Sequence, residues 1–100
     1  MVEKKVITLK FDDLSLPSLS GDPDGESAFN TQVKPKLDES DYENGIIIKF
    51  PDYISIIGAS FMQGFSRFFV QKIGYDGIKD RIEFQTSSEE LTQEVYDDIY

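Results

Sequence analysis

The chain has 100 residues, 39% of them hydrophobic and 13% aromatic, and its formal net charge is -9. That is apolar material for one small core, so a single domain over residues 1–100 is expected. The absence of Cys excludes disulfides and thiolate metal sites, and the absence of His removes the commonest general base and zinc ligand. A surface this acidic repels nucleic acid and anionic lipid and favours basic partners. No apolar stretch is long enough to span a bilayer, and "MVEKKVITLK" lacks the apolar core of a signal peptide. The expectation is a soluble, cytoplasmic protein.

In chain order, "KKVITLKF" alternates and is β-branched, which predicts a strand over Val6 to Phe11. "DDLSLPSLSGDPDG" is rich in Pro, Gly, Ser and Asp and reads as a loop, with a short extended piece around Leu14 to Leu16. "ESAFNTQVKPKLDES" places Phe29, Val33 and Leu37 at helical spacing, with Asp24 or Gly25 as the N-cap. Pro35 must kink that helix or restart it. "ESDYENG" ends the segment in a turn at Asn44-Gly45. "GIIIKF" is β-branched without alternation, which predicts a strand buried on both faces and stopped by Pro51.

Ser60 to Gly74 is the clearest helix. Ser60 and Gln63 have the spacing of a capping box, and Gly58-Ala59 lets the chain turn sharply into it. Phe61, Met62, Phe65, Phe68, Phe69 and Ile73 share one arc, with Gln63, Ser66, Arg67 and Gln71 on the other side. Lys72 suits the last turn, and Gly74 the left-handed position that ends it. "DRIEFQ" reads as a short strand. "SSEELTQEVYDDIY" reads as a helix with a Ser87–Glu90 capping box and Leu91, Val95 and Ile99 inside. This β-α-β-α-β-α order implies an α/β fold with a small, mostly parallel sheet.

Few chemical motifs are present. Neither GxxxxGKS/T nor GxGxxG occurs, so no phosphate cradle is signalled. Asp22, Asp24 and Glu26 alternate like the start of a calcium loop, but Ser27 stands at the glycine position and Val33 at that of the closing glutamate. No metal, no cofactor and no enzymatic activity are expected. Ten basic residues scattered among nineteen acidic ones form no stripe for nucleic acid. Glu89, Glu90, Glu94, Asp97 and Asp98 have no Lys or Arg between them. They read as a solvated helix face, although Asp97 and Asp98 oppose the helix dipole and suit a basic partner.

"GIIIKFPDYISIIGASFMQGFSRFFVQKIGYDGIKDRIEF" resembles the second half of the STAS-like domain of the DUF4325 family. The resemblance is carried by the strand Ile46 to Phe50, the Ala59-Ser60-Phe61 step, Gly74, and Lys79-Asp80-Arg81-Ile82. "DGESAFNTQVKPKL" is similar to that family's first helix, so the likeness covers about Gly25 to Phe84. It implies a bacterial, regulatory protein-interaction module akin to anti-sigma-factor antagonists. The expected partner is a regulatory kinase or an anti-sigma-like protein, docking at the turn before the central helix. In the wider superfamily a Ser in that turn is phosphorylated, within a step resembling Asp-Ser-Ser-Gly. Here Gly58 replaces the acidic residue and Ala59 the acceptor, so no phosphorylation is expected and Ser60 is the one hydroxyl left. The expected partner-binding residues are Asp52, Gly58, Ala59, Ser60, Gln63, Ser66, Arg67 and Gln71. The alternative is an acidic inhibitor that imitates nucleic-acid charge and fills a basic groove.

Overall fold

The computed structural model describes residues 4–11 and 17–100. Its elements are β1 (Lys5–Thr8), β2 (Ser18–Leu19), α1 (Asp22–Ala28), α2 (Glu39–Asn44), β3 (Ile46–Lys49), β4 (Ile56–Ile57), α3 (Ala59–Arg81), β5 (Ile82–Gln85) and α4 (Glu89–Ile99). β1, β3 and β5 form a parallel sheet with β3 in the centre, and β2 and β4 form a separate parallel pair. The α/β class and the parallel sheet agree with the order of elements expected from sequence. The extended piece expected around Leu14 to Leu16 lies outside the described residues. No helix among the described residues is long and apolar enough to cross a membrane.

Among the described residues, one side of the sheet is covered far more than the other. Ile7, Ile48 and Phe84 stand in one register row and are all buried. In the row before it Val6 is 51% exposed and Ile47 and Glu83 are half-buried, and in the row after it Thr8, Lys49 and Gln85 are exposed. The expectation that β3 is buried on both faces therefore does not hold. Its unbroken Ile run conceals an alternating environment, with Ile46 and Ile48 buried and Ile47 only half-buried.

Most of the differences from sequence lie at element ends. β1 stops at Thr8 rather than Phe11, and the Gln32 side-chain amide takes both the N–H (2.7 Å) and the carbonyl (2.8 Å) of Lys10. α1 starts at Asp22 after Gly21, earlier than a cap at Asp24 or Gly25, with Pro23 in the first turn, where no N–H is needed. It runs on through a π turn (Phe29–Val33) into a 3-10 turn (Lys34–Lys36). Pro35 sits at the start of that tighter turn, which is how the chain absorbs its missing donor. The turn expected at Asn44-Gly45 is the end of α2, a helix hidden by its polar sequence. Asp38 accepts from the Asp41 N–H (3.2 Å) and Asp41 accepts from the Asp38 N–H (2.9 Å), a capping box built from two aspartates. The Ser40 hydroxyl donates to Asp38 and holds its carboxyl below the ordinary value.

Two caps expected from sequence are displaced. Gly58, not Ser60, is the N-cap of α3, and no side chain caps that helix. Ser88, not Ser87, caps α4 by accepting from the Leu91 N–H (3.1 Å), while the Ser87 hydroxyl donates to the Ile54 carbonyl (3.0 Å). As expected, Gly74 ends the first run of helix with a positive φ (72°); what the sequence reading did not expect is a second run over residues 75–81, joined to the first across this kink.

The core is a stack of aromatic rings between α3 and the sheet. Phe61, Met62, Phe65 and Phe69 are buried, as the stripe predicts, and Phe68 and Ile73 are partly so. Phe65 meets Phe50 (6.0 Å between centroids) and Phe84 (6.4 Å) below and Phe29 (5.9 Å) beside it. α1 brings Phe29 there by crossing α3 almost backbone to backbone. A Cβ on Gly25 would land on the Phe61 carbonyl and 2.9 Å from the Phe65 nitrogen, and one on Gly64 would land on the Asp22 carbonyl. On the other flank, Leu91, Val95 and Ile99 of α4 are buried as expected. The Tyr96 hydroxyl donates to the Ile82 carbonyl (2.8 Å) and accepts from the Phe84 N–H (3.1 Å). Those groups lie on the edge of β5, so one phenol blocks a strand edge that could otherwise pair with another chain. Burial raises the pKa of this phenol above its ordinary value.

Two substitutions test this packing. In an ordinary helix interior Gly→Ala stabilises by about 1 kcal/mol. Gly64→Ala is expected to do the opposite and cost about 1–3 kcal/mol through overpacking, seen as a lower urea midpoint. A raised midpoint would show that the backbones of α1 and α3 do not touch. Tyr96→Phe, which keeps the ring and removes both edge hydrogen bonds, should cost about 1–2 kcal/mol in the same measurement. An unchanged midpoint would show that the hydroxyl does not hold β5.

Candidate partner-binding surface

The turn into α3 is a hydrogen-bonded joint. β2 and β4 pair over Ser18–Ile56 and Leu19–Ile57, and the Pro17 carbonyl accepts from the N–H groups of Ser55 (2.8 Å) and Ile56 (3.1 Å). The Gly58 N–H then donates to the Leu19 carbonyl (2.7 Å), and the Gly58 carbonyl accepts from the Met62 N–H (3.2 Å) as the helix begins. A Cβ on Gly58 would stand 3.3 Å from the Leu19 carbonyl oxygen, so a small residue suits this position. Ser60 lies two residues beyond the cap. Its hydroxyl accepts from the Gly21 N–H (3.3 Å) and so links the start of α3 to the start of α1.

The eight residues expected to bind a partner do not all share one surface. Gln63, Arg67 and Gln71 are exposed at i, i+4 spacing and form a ridge along the side of α3 away from the core, with exposed Ala59 and Ser60 at its N-terminal end. Ser66 does not belong to it. It is 2% exposed, and its hydroxyl donates to the Met62 carbonyl (2.6 Å) one turn back. Gly58 is half-buried in the joint. Asp52 is exposed in the turn after β3, where it borders a different hollow together with Thr8, Lys49 and Gln85.

Arg67 is the cation of the ridge, and α1 occupies it. Its guanidinium donates to Asp22 and, at 3.2 Å, to Glu26. The Asp22 contact does most to raise its pKa above the ordinary arginine value, and Glu26 adds to it. On the α4 side of the ridge lies a shallow cavity of about 310 Å³, lined by Gln63, Ser66, Arg67, Val70, Gln71, Tyr75 and Ile99. Tyr75 belongs to the helical turns after Gly74, and with Gly74 expected as a stop its place on this surface was hidden. Its ring stands edge-on to that of Tyr100 (5.7 Å), and the Tyr100 hydroxyl donates to the Tyr75 carbonyl (3.4 Å). Both tyrosines are more than half exposed, at 51% and 55%.

A roomier hollow of about 600 Å³ opens between the end of β1 and α1, lined by hydroxyls of Ser18, Ser20, Ser27 and Thr31. The Gln32 amide in its wall is already committed to Lys10. Among the described residues, no three His, Cys, Asp or Glu side chains gather as a metal site. Compared with protein-family models, with curated proteins and with solved structures, the chain matches none.

Because Ser60 is past the cap and both it and its Gly21 partner lie near the surface, Ser60→Ala should cost under about 1 kcal/mol, less than the loss of a buried hydrogen bond. A loss of about 2 kcal/mol, at the top of the range for a removed N-cap, would restore Ser60 as the cap of α3.

Proposed function

We propose that this chain is a non-enzymatic regulatory module of the bacterial cytoplasm that binds a protein partner through the outer ridge of α3 and the joint before it. The resemblance to the STAS-like domain of the DUF4325 family suggests the class of function. The observation that supports the surface is the ridge itself. Gln63 and Gln71 present adaptable polar groups, with the α1-bound Arg67 between them, on a helix whose opposite face carries the aromatic core. A partner there meets a surface already held in place, so it spends little ordering entropy on docking. Within this reading, Asp52 and the buried Ser66 do not touch the partner, and Gly58 serves the joint.

The test begins with the partner recovered from the native host. Gln63→Arg and Gln71→Glu change exposed side chains and leave the core untouched. Each is expected to weaken binding by about tenfold or more, the scale of an interface residue worth over 1 kcal/mol, with the circular dichroism spectrum unchanged. Binding unaltered by both substitutions would remove the ridge as the interface.

A further inference from the structure

The two edges of the main sheet are finished differently, and one stretch of edge is left open. We propose that the edge of β1 at Val6 and Thr8 takes up an extended, acidic segment of a protein partner as an added strand. This surface is separate from the ridge of α3.

β1 and β5 are the outer strands of the sheet. On β5 the Tyr96 hydroxyl takes the Ile82 carbonyl and the Phe84 N–H. On β1 the register decides which groups point outward. The Lys5 N–H donates to the Gly45 carbonyl (3.1 Å) and the Leu9 N–H to the Lys49 carbonyl (2.9 Å), so Lys5, Ile7 and Leu9 bond inward to β3. Val6, Thr8 and Lys10 therefore turn their N–H and C=O groups away from the sheet. At Lys10 both groups are taken by the Gln32 carboxamide (2.7 and 2.8 Å). That carboxamide is chemically a peptide group, and it pairs there as the next strand would. Val6 and Thr8 offer the same two groups, and among the described residues no strand or side chain takes them. Both side chains are exposed.

An unpaired edge of this kind suits recognition by strand addition, in which main-chain hydrogen bonds supply the affinity. Charge selects the strand. Residues 4–10 hold three lysines and no acid, in a chain with nineteen acidic residues. Exposed and covered positions alternate along them, which puts Lys4, Val6, Thr8 and Lys10 on the less covered face. Lys49 stands beside Thr8 in the register. Among the described residues Lys4, Lys10 and Lys49 take part in no ion pair. A second copy of the chain is a poor occupant. Antiparallel pairing of Val6 with Thr8 of another β1 sets Lys4 opposite Lys10 at both ends, and like charges directly opposite are destabilising. An acidic segment instead meets a lysine at either end of the open edge.

The probe is a synthetic peptide of Val and Thr with Glu at both ends, added to the full chain. In the free protein the Val6 and Thr8 amides are expected to exchange with solvent quickly, and those of Ile7 and Leu9 slowly. Saturating peptide is expected to slow Val6 and Thr8 about tenfold or more. Two further peptides carry methyl groups on alternate backbone nitrogens, one on the odd set and one on the even. Both keep every side chain and charge. An added strand bonds through one edge only, so one of the two should bind about tenfold more weakly and the other nearly as well as the parent. The double variant Lys4→Gln, Lys10→Gln should weaken the parent peptide about threefold or more, and Gln63→Arg on the ridge should leave it unchanged. Equal binding of the two methylated peptides would show attraction to charge alone and overturn the added strand. Val6 and Thr8 amides already protected in the free chain would show the edge to be occupied and overturn it as well, as would absence of peptide binding. Binding indifferent to the loss of Lys4 and Lys10 would overturn the acidic partner.

Discussion

Two glycines facing each other across a helix crossing set the geometry of this molecule. Gly25 lets α1 reach the Phe61 carbonyl, and Gly64 lets α3 reach the Asp22 carbonyl, so the two helices touch through their backbones. Side chains of any size at either point would push the axes apart. The close crossing places Phe29 against Phe65, Phe68 and Phe69 at ring distances of 5.1 to 5.9 Å, within the range where edge and tilted contacts are favourable. It also brings Asp22 and Glu26 within reach of Arg67, and Gly21 within reach of Ser60. The aromatic core, the acid-bound arginine and the joint at the head of α3 all follow from one close approach.

The fold class was legible because its signals are strong and local. The Leu91–Val95–Ile99 line of α4 is buried throughout, and the Phe stripe of α3 and the Ile run of β3 bury most of the residues they mark, with Phe68, Ile73 and Ile47 only partly covered. Errors collected where two neighbouring residues can serve the same role. Ser60 and Gly58 both suit a cap, and so do Ser87 and Ser88. The choice falls to whichever leaves the other free for a long-range bond, to Gly21 in one case and Ile54 in the other. α2 escaped notice because "ESDYEN" has almost no apolar periodicity. It stands on its aspartate capping box and on Tyr42, which packs against Phe68 and Phe69.

The candidate surface was legible in the same uneven way. Exposed polar positions four apart identify Gln63, Arg67 and Gln71, but the pattern alone does not reveal which polar residue turns inward. Ser66 does, because its short side chain satisfies its hydroxyl on the Met62 carbonyl of the preceding turn. Nor does it reveal that Arg67 is held by α1, since Asp22 and Glu26 are more than forty positions away in sequence. Tyr75 was concealed by Gly74. Its positive φ does end the first run of helix, and nothing in the pattern announced that a second run begins directly after it.

The less covered side of the sheet gives the acidity of this chain a colloidal meaning. Parallel sheets are ordinarily clothed on both faces. Here, among the described residues, one face leaves Val6 exposed and Ile47 half-covered, a place for one molecule to stack on another. What opposes stacking at neutral pH is mutual repulsion between molecules of net charge -9. That repulsion disappears as the solution approaches the isoelectric point near 4.3. Mild acidification is thus expected to favour stacking of the folded molecules and to lower their solubility.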